Sequence, residues 1–264
     1  MITPEELNPR QHSEFRMARV QPTPPPPRPD FVPSPAASAG ASWRPLEALP
    51  VFFIAIIFTG VVHLLLAQIP GFCGGQAVIE ALLGEIAFGA AVIFWIRYIN
   101  RGSLRALGVP ATPWRDIGIG IAAGGVLIVA GALTLVLVRE LVTLISGKTP
   151  AQPEQLVSCV RGTALAFMGP VVVLVAPAGE ETFFRGFLYK GLRRRMPVWG
   201  AALLSGAIFG AVHVYPLLIP ALFVVGVGLA LLYERRQSLL APMAAHATFN
   251  VVGFLMIVLS RTAS

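Results

Sequence analysis

The sequence predicts an all-α, polytopic transmembrane helix bundle of about seven spans with a cytoplasmic N-terminus. Three observations carry that prediction. Of 264 residues, 55% are apolar and only 12% are charged, whereas a soluble domain carries roughly 25% charged residues. Beyond residue 50 the apolar residues gather into runs close to the ~20 helical residues that cross a bilayer core. No run alternates polar and apolar residues as a barrel strand does, and lipid satisfies no backbone group, so α-helices are left. An ordinary water-soluble enzyme is excluded by the same figures, together with a mean hydropathy of +0.73.

The elements follow in chain order. Residues 1–48 hold 11 of the 23 prolines, including the run Pro24-Pro25-Pro26-Pro27, and no apolar stretch long enough to span anything. They read as a disordered or polyproline arm. The first greasy run begins near Val51, so the terminus does not read as a cleavable signal peptide. Val51 to Gln68 is uncharged, and Ile79 to Ile99 is similar but holds Glu80 and Glu85. Ile117 to Val138 and Gly162 to Gly179 are again free of charge. Met196 to Tyr233 also stays uncharged but is too long for one crossing, with Tyr215-Pro216 as the natural break. Gln237 to Ser260 supplies the last span. Residues 49–160 thus form an N-terminal set of helices and residues 161–260 a C-terminal core.

Charge sets the orientation. The net charge is +7, with 18 Arg and 2 Lys. On a soluble protein that surplus would hint at nucleic acid; on this one it marks loops at a membrane face, and no nucleic-acid partner is expected. Five basic residues lie in the arm, four close or follow the second span, Arg185 to Arg195 supplies five, and Arg235 and Arg236 add two. Those 16 face the cytoplasm if seven spans alternate, against four on the other side. Arg101 to Arg115, with Leu104 and Leu107, is a candidate surface helix. Cys73 and Cys159 both fall in outside loops, where a disulfide is permitted. Two isolated small apolar residues is the preferred reading of that pair.

Polar groups inside spans are costly, and each is a functional hypothesis by default. Glu180-Glu181-Thr182-Phe183-Phe184-Arg185 closes the fourth run. Glu181 and Arg185 stand four apart, at ion-pair spacing. Glu180 lies about 100° round the helix and is free to act. Phe209 and His213 share a face one turn apart, as do His246 and Asn250. Taken singly, each group has a plain structural reading, as an interfacial ion pair or an interhelical hydrogen bond. Together they place a glutamate pair, two of the four histidines and an Asn in apolar surroundings between Glu180 and Asn250. At 1.5 Å per residue their depths agree to within about 10 Å, which allows convergence mid-membrane.

The segments Glu180-Glu181-Thr182-Phe183-Phe184-Arg185-Gly186, Phe209-Gly-Ala-Val-His213 and His246-Ala-Thr-Phe-Asn250 resemble the three motifs of the CPBP intramembrane proteases. That family includes type II CAAX prenyl endopeptidases, bacteriocin-processing proteases and self-immunity relatives. The resemblance covers about residues 164 to 256, and every motif position is kept. It implies an integral membrane endopeptidase acting on a membrane-associated protein or peptide, with a cavity open to lipid and the cytoplasmic face. Peptide hydrolysis needs an activated water, an oxyanion stabiliser and a proton for the leaving amine. Glu180, with His213 nearby, would activate the water; His246 and Asn250 would donate to the oxyanion. Glu181 and Arg185 would orient the helix, and Phe209 would pack beside His213.

Two rival readings use the same residues. Glu180, His213 and His246 make a catalytic zinc set with one open position, but the His-Glu-x-x-His helix is absent, and the resemblance implies no obligatory cofactor. A non-proteolytic scaffold or immunity protein would keep the fold, yet here all four reacting residues are present. A transporter is disfavoured because no internal repeat is found. The Ala-, Gly-, Pro- and Arg-rich usage suggests a bacterial gene and hence a cytoplasmic-membrane location.

Overall fold

The computed structural model describes residues 43–108, 113–150, 159–213 and 215–262. Up to residue 42, the proline-rich arm lies outside the described residues. Seven helices are found among these residues, and there is no strand: α1 Ala48–Leu66, α2 Cys73–Ile99, α3 Pro113–Ser146, α4 Thr163–Arg193, α5 Val198–Val212, α6 Ile219–Arg236 and α7 Leu240–Thr262. Each corresponds to one of the apolar segments read from the sequence. Five of them, α1 to α4 and α7, are long and apolar enough to cross a membrane; α5 is shorter, with 15 residues. The long uncharged run breaks at residues 213–218, around Tyr215-Pro216.

The packing follows the rule for helices in lipid, where small residues let backbones approach and large apolar ones face outward. α3 lies along α7 and α6. A Cβ on Gly124 would stand 2.7 Å from the Ala245 carbonyl oxygen, so only glycine lets α7 come this near. The opposite side of α3 presents Val126, Val129, Leu133 and Leu137 outward. α1 packs on α2, and α5 on α6, while α4 runs through the middle in contact with α2, α7 and α5. Phe183, Phe184, Phe187 and Phe209 fill the centre with Tyr189 and Tyr233.

Four features differ from the sequence reading. The fourth run does not end at the glutamates: α4 continues to Arg193, so Glu180 and Glu181 sit mid-helix. The continuation is possible because its charges find partners. Arg185 meets Glu181, Lys190 Nζ donates to the Ala106 carbonyl at 2.6 Å, and Arg193 meets Glu234 at 3.0 Å. Arg185, Lys190 and Arg193 are therefore buried, leaving only Arg194 and Arg195 of the five basic residues assigned to a loop there. Among the described residues of the stretch read as a surface helix, 101–108 form one 3-10 turn, Leu104–Leu107, and 113–115 already belong to α3. Ala106 and Leu107 are buried in that turn, and Tyr233 Oη donates to the Leu107 carbonyl. Cys73 and Cys159 are joined as a disulfide, not isolated. The start of α2 and the segment before α4 lie side by side; a Cβ on Gly74 would stand 2.9 Å from the Cys159 carbonyl oxygen. Lastly, Trp43, within the stretch read as arm, is buried, stacks on Phe187 and donates from Nε1 to the Phe187 carbonyl at 2.8 Å.

Candidate active site

α4 is wound unevenly, and the glutamates sit between its two irregular stretches. Val171–Val175 and Thr182–Tyr189 are π-helical, with Ala176–Glu181 as a short α-helical piece between them. Such π turns recur at functional sites because they free a backbone group and turn side chains out of register. Here the consequence is concrete. Ala176 N–H donates to the Val171 carbonyl, five residues back. In that register the donor for the Val172 carbonyl would be residue 177, a proline without an N–H. Asn250 Nδ2 donates to that carbonyl from α7 at 2.8 Å instead. A sequence feature on α4 thus explains why α7 carries an amide at this height.

Glu181 is the hub of the site. Its Oε1 accepts from Arg185 Nη1 at 2.7 Å and from His246 Nδ1 at 2.9 Å, and all three residues are buried. Arg185 Nη2 also donates to the Gly226 carbonyl at 3.2 Å, and its guanidinium lies 4.5 Å from the centre of the Phe209 ring. The bond at Nδ1 sets the orientation of the His246 ring and leaves Nε2 for chemistry. Nε2 stands 4.0 Å from Oε2 of Glu180. That Glu180 oxygen is buried and has no hydrogen-bond partner. One glutamate is bonded to its neighbours through Oε1, and the adjacent one keeps a buried oxygen without a partner.

Phe209 lies between the two histidines, with ring centroids 5.7 Å from His246 and 4.9 Å from His213. His213 caps the end of α5 and donates from Nδ1 to the Phe209 carbonyl at 2.7 Å, so Nε2 is its available nitrogen. It is exposed while His246 is buried. Glu180, Glu181, Arg185, Phe209, His213, His246 and Asn250 are thus gathered by α4, α5 and α7. The zinc set is not assembled: among the described residues no group of three or more His, Cys, Asp or Glu is placed to hold a metal ion. His246 Nδ1 is already taken by Glu181.

Sequence reasoning missed two features. The contact of Glu181 with His246 joins residues 65 apart, and helical spacing along one element cannot show it. Glu85 of α2 also borders the site. A Cβ on Gly179 would collide with the Glu85 carbonyl oxygen and stand 3.1 Å from its Oε2, so α2 touches α4 one residue before Glu180. The available signal was an acid within an otherwise apolar run.

Comparison with known proteins places part of the sequence near a described family. Residues 162–252 match the model of a family described as type II CAAX prenyl endopeptidase, Rce1-like. This part of the chain is similar to the Rce1-like family. The match bears out the resemblance read from the three motifs, and at the level of the family it denotes an intramembrane protease of CAAX type. The Rce1-like stretch contains Glu180, Glu181, Arg185, Phe209, His213, His246 and Asn250; α1 to α3 lie outside it. Over 159 residues, 58% of this chain, the sequence is 27% identical to an uncharacterized 24.3 kDa protein of Escherichia coli. That match spans 66% of the relative's length, just under two thirds. No solved structure matches the chain.

Proposed function

We propose that the protein is an intramembrane endopeptidase that hydrolyses a peptide bond of a membrane-associated or lipidated protein or peptide, with Glu180 as the base. One observation carries the reading. A buried Glu180 oxygen without a hydrogen-bond donor faces His246 Nε2 across 4.0 Å, and His246 is held from behind by Glu181. A gap of that width between polar atoms suits one bridging oxygen.

In this mechanism Glu180 removes a proton from water as the water oxygen bonds to the peptide carbonyl carbon. The carbonyl π electrons move onto oxygen. The resulting oxyanion is met by His246, whose imidazolium form is balanced by Glu181, and by the second amide N–H of Asn250, the first being committed to Val172. A donor of this kind contributes about 3 to 4 kcal/mol where water is excluded. The carbonyl then re-forms, the C–N bond breaks, and the departing nitrogen takes the proton held by Glu180. The products are a carboxylic acid and an amine. His213, with Nε2 free, assists the proton transfers. No cofactor enters any step.

The substrate is presented from the bilayer, as the family implies, and the setting is a bacterial cytoplasmic membrane with the N-terminus inside. The test uses purified protein in detergent with membrane peptides, prenylated and unprenylated, comparing wild type with Glu180→Gln. The expected result is cleavage by wild type only. Cleavage that survives the substitution would sink the mechanism. A cellular phenotype that persists in Glu180→Gln, with no cleavage by either protein, would point to a scaffold instead.

A further inference from the structure

Glu85 is the second carboxyl at this site. It lies on α2, outside the Rce1-like stretch, and reaches the site because Gly179 lacks a Cβ. Its Oε2 is buried and has no hydrogen-bond partner, as is true of Glu180 Oε2. The charged or titratable groups around them are few. Glu181 and Arg185 come from α4, His246 comes from α7, and α6 supplies Glu234 farther along, where it meets Arg193. α1 faces this part of α2 with Thr59, against Gly84, and its His63 pairs with Glu80 more than a turn away. The Arg185 guanidinium bonds Glu181 and the Gly226 carbonyl, and among the described residues Glu85 Oε2 has no hydrogen-bond partner.

Two buried acceptor oxygens thus lie at the α2–α4 contact around Gly179, each without a donor. Buried polar atoms are satisfied with few exceptions, and neighbouring carboxylates in such a place do not both ionise. One proton resolves both conflicts. We propose that Glu85 is a positioning residue that shares a single proton with Glu180, holding the Glu180 carboxylate in the orientation from which it meets water. The inference rests on the reading of Glu180 as the base. It adds a residue from α2 to a site otherwise drawn from α4, α5 and α7.

The role sets a pattern that simple packing does not. A glutamine at 85 offers an amide N–H in place of the shared proton, and an alanine offers nothing. Glu85→Ala is expected to lose about tenfold or more in kcat, equivalent to one lost hydrogen bond, with KM unchanged; Glu85→Gln restores most of that loss. Infrared spectra of the full-length protein at neutral pH are expected to show a protonated carboxyl C=O band that Glu85→Gln removes. If Glu85→Gln is as impaired as Glu85→Ala, or if Glu85→Ala retains full kcat, the proposal is overturned. It is equally overturned if the band is absent from wild type or persists in Glu85→Gln. The infrared measurement needs no turnover, so it decides the shared proton even if Glu180→Gln continues to cleave and the base assignment itself fails.

Discussion

α3 and α4 are similar in length, 34 and 31 residues, and opposite in construction. α3 has no charge from Ile117 to Val138 and turns Leu133 and Leu137 outward. It is held by glycines against α7. α4 carries Glu180, Glu181, Arg185, Lys190 and Arg193 and lies inside the bundle. Its interior charges are partnered by α6, α7 and a backbone carbonyl of the Leu104–Leu107 turn. In lipid, an apolar helix needs only close packing, because nothing drives its large side chains inward. A charged helix must be wrapped, since every unpaired group is penalised by the full loss of solvation. The candidate site therefore lies on the helix whose charges are wrapped by its neighbours.

The largest effect that would break this contrast is on activity. Glu180→Gln is expected to lower cleavage about 10²- to 10⁴-fold, the span of acid–base catalysis. Its unfolding in detergent should change little, since glutamine keeps the size of the side chain and can still hydrogen-bond its neighbours. Arg185→Ala should do the reverse, removing stability first. It strands the Glu181 carboxylate and the Gly226 carbonyl, and loss of one member of a buried ion pair is worth about 3 to 5 kcal/mol. Equilibrium unfolding in mixed micelles would measure it, and a shift under about 1 kcal/mol, the range of a solvated pair, would mean that water reaches Glu181.

Glycine contacts come next. Gly124→Ala inserts a Cβ into the Ala245 backbone of α7, an overpacking of about 1 to 3 kcal/mol, seen as a lower unfolding temperature with the site residues untouched. Asn250→Ala leaves the Val172 carbonyl without its donor. An interhelical hydrogen bond of this kind contributes about 0.6 to 1.7 kcal/mol, so a small stability loss should accompany a larger fall in kcat. Activity falling no more than stability would reduce Asn250 to a structural tie. At the small end, Leu133→Ala on the outer face of α3 should stay within about 0.5 kcal/mol. A larger loss there would show that the face is covered by protein.

The same two helices show how much is legible from the chain and how much is not. α3 reads directly because its signal is local: an uncharged run long enough to cross a bilayer has one reading in lipid. α4 reads as ending near Gly179, because charges following an apolar run look like an interface. Lys190 and Arg193 read as loop residues for the same reason. Their partners, the Ala106 carbonyl and Glu234, are 84 and 41 residues away. The cysteines mislead likewise, since their pairing depends on where the start of α2 meets the segment before α4. Glu181 and Arg185, four apart on one helix, pair as their spacing predicts.

The helical class, the order of the apolar helices and the residue types of the site follow from the chain alone, because periodicity, run length and motif spacing are properties of neighbours in sequence. Other features exist only once the helices have packed. These are which charges are buried, the hold of Glu181 on His246, the answer of Asn250 to a carbonyl orphaned by Pro177, and the contact of Glu85 with Gly179. Each of those depends on how closely two backbones approach. That distance is set by glycines such as Gly179 on one helix and by what the facing helix presents to them.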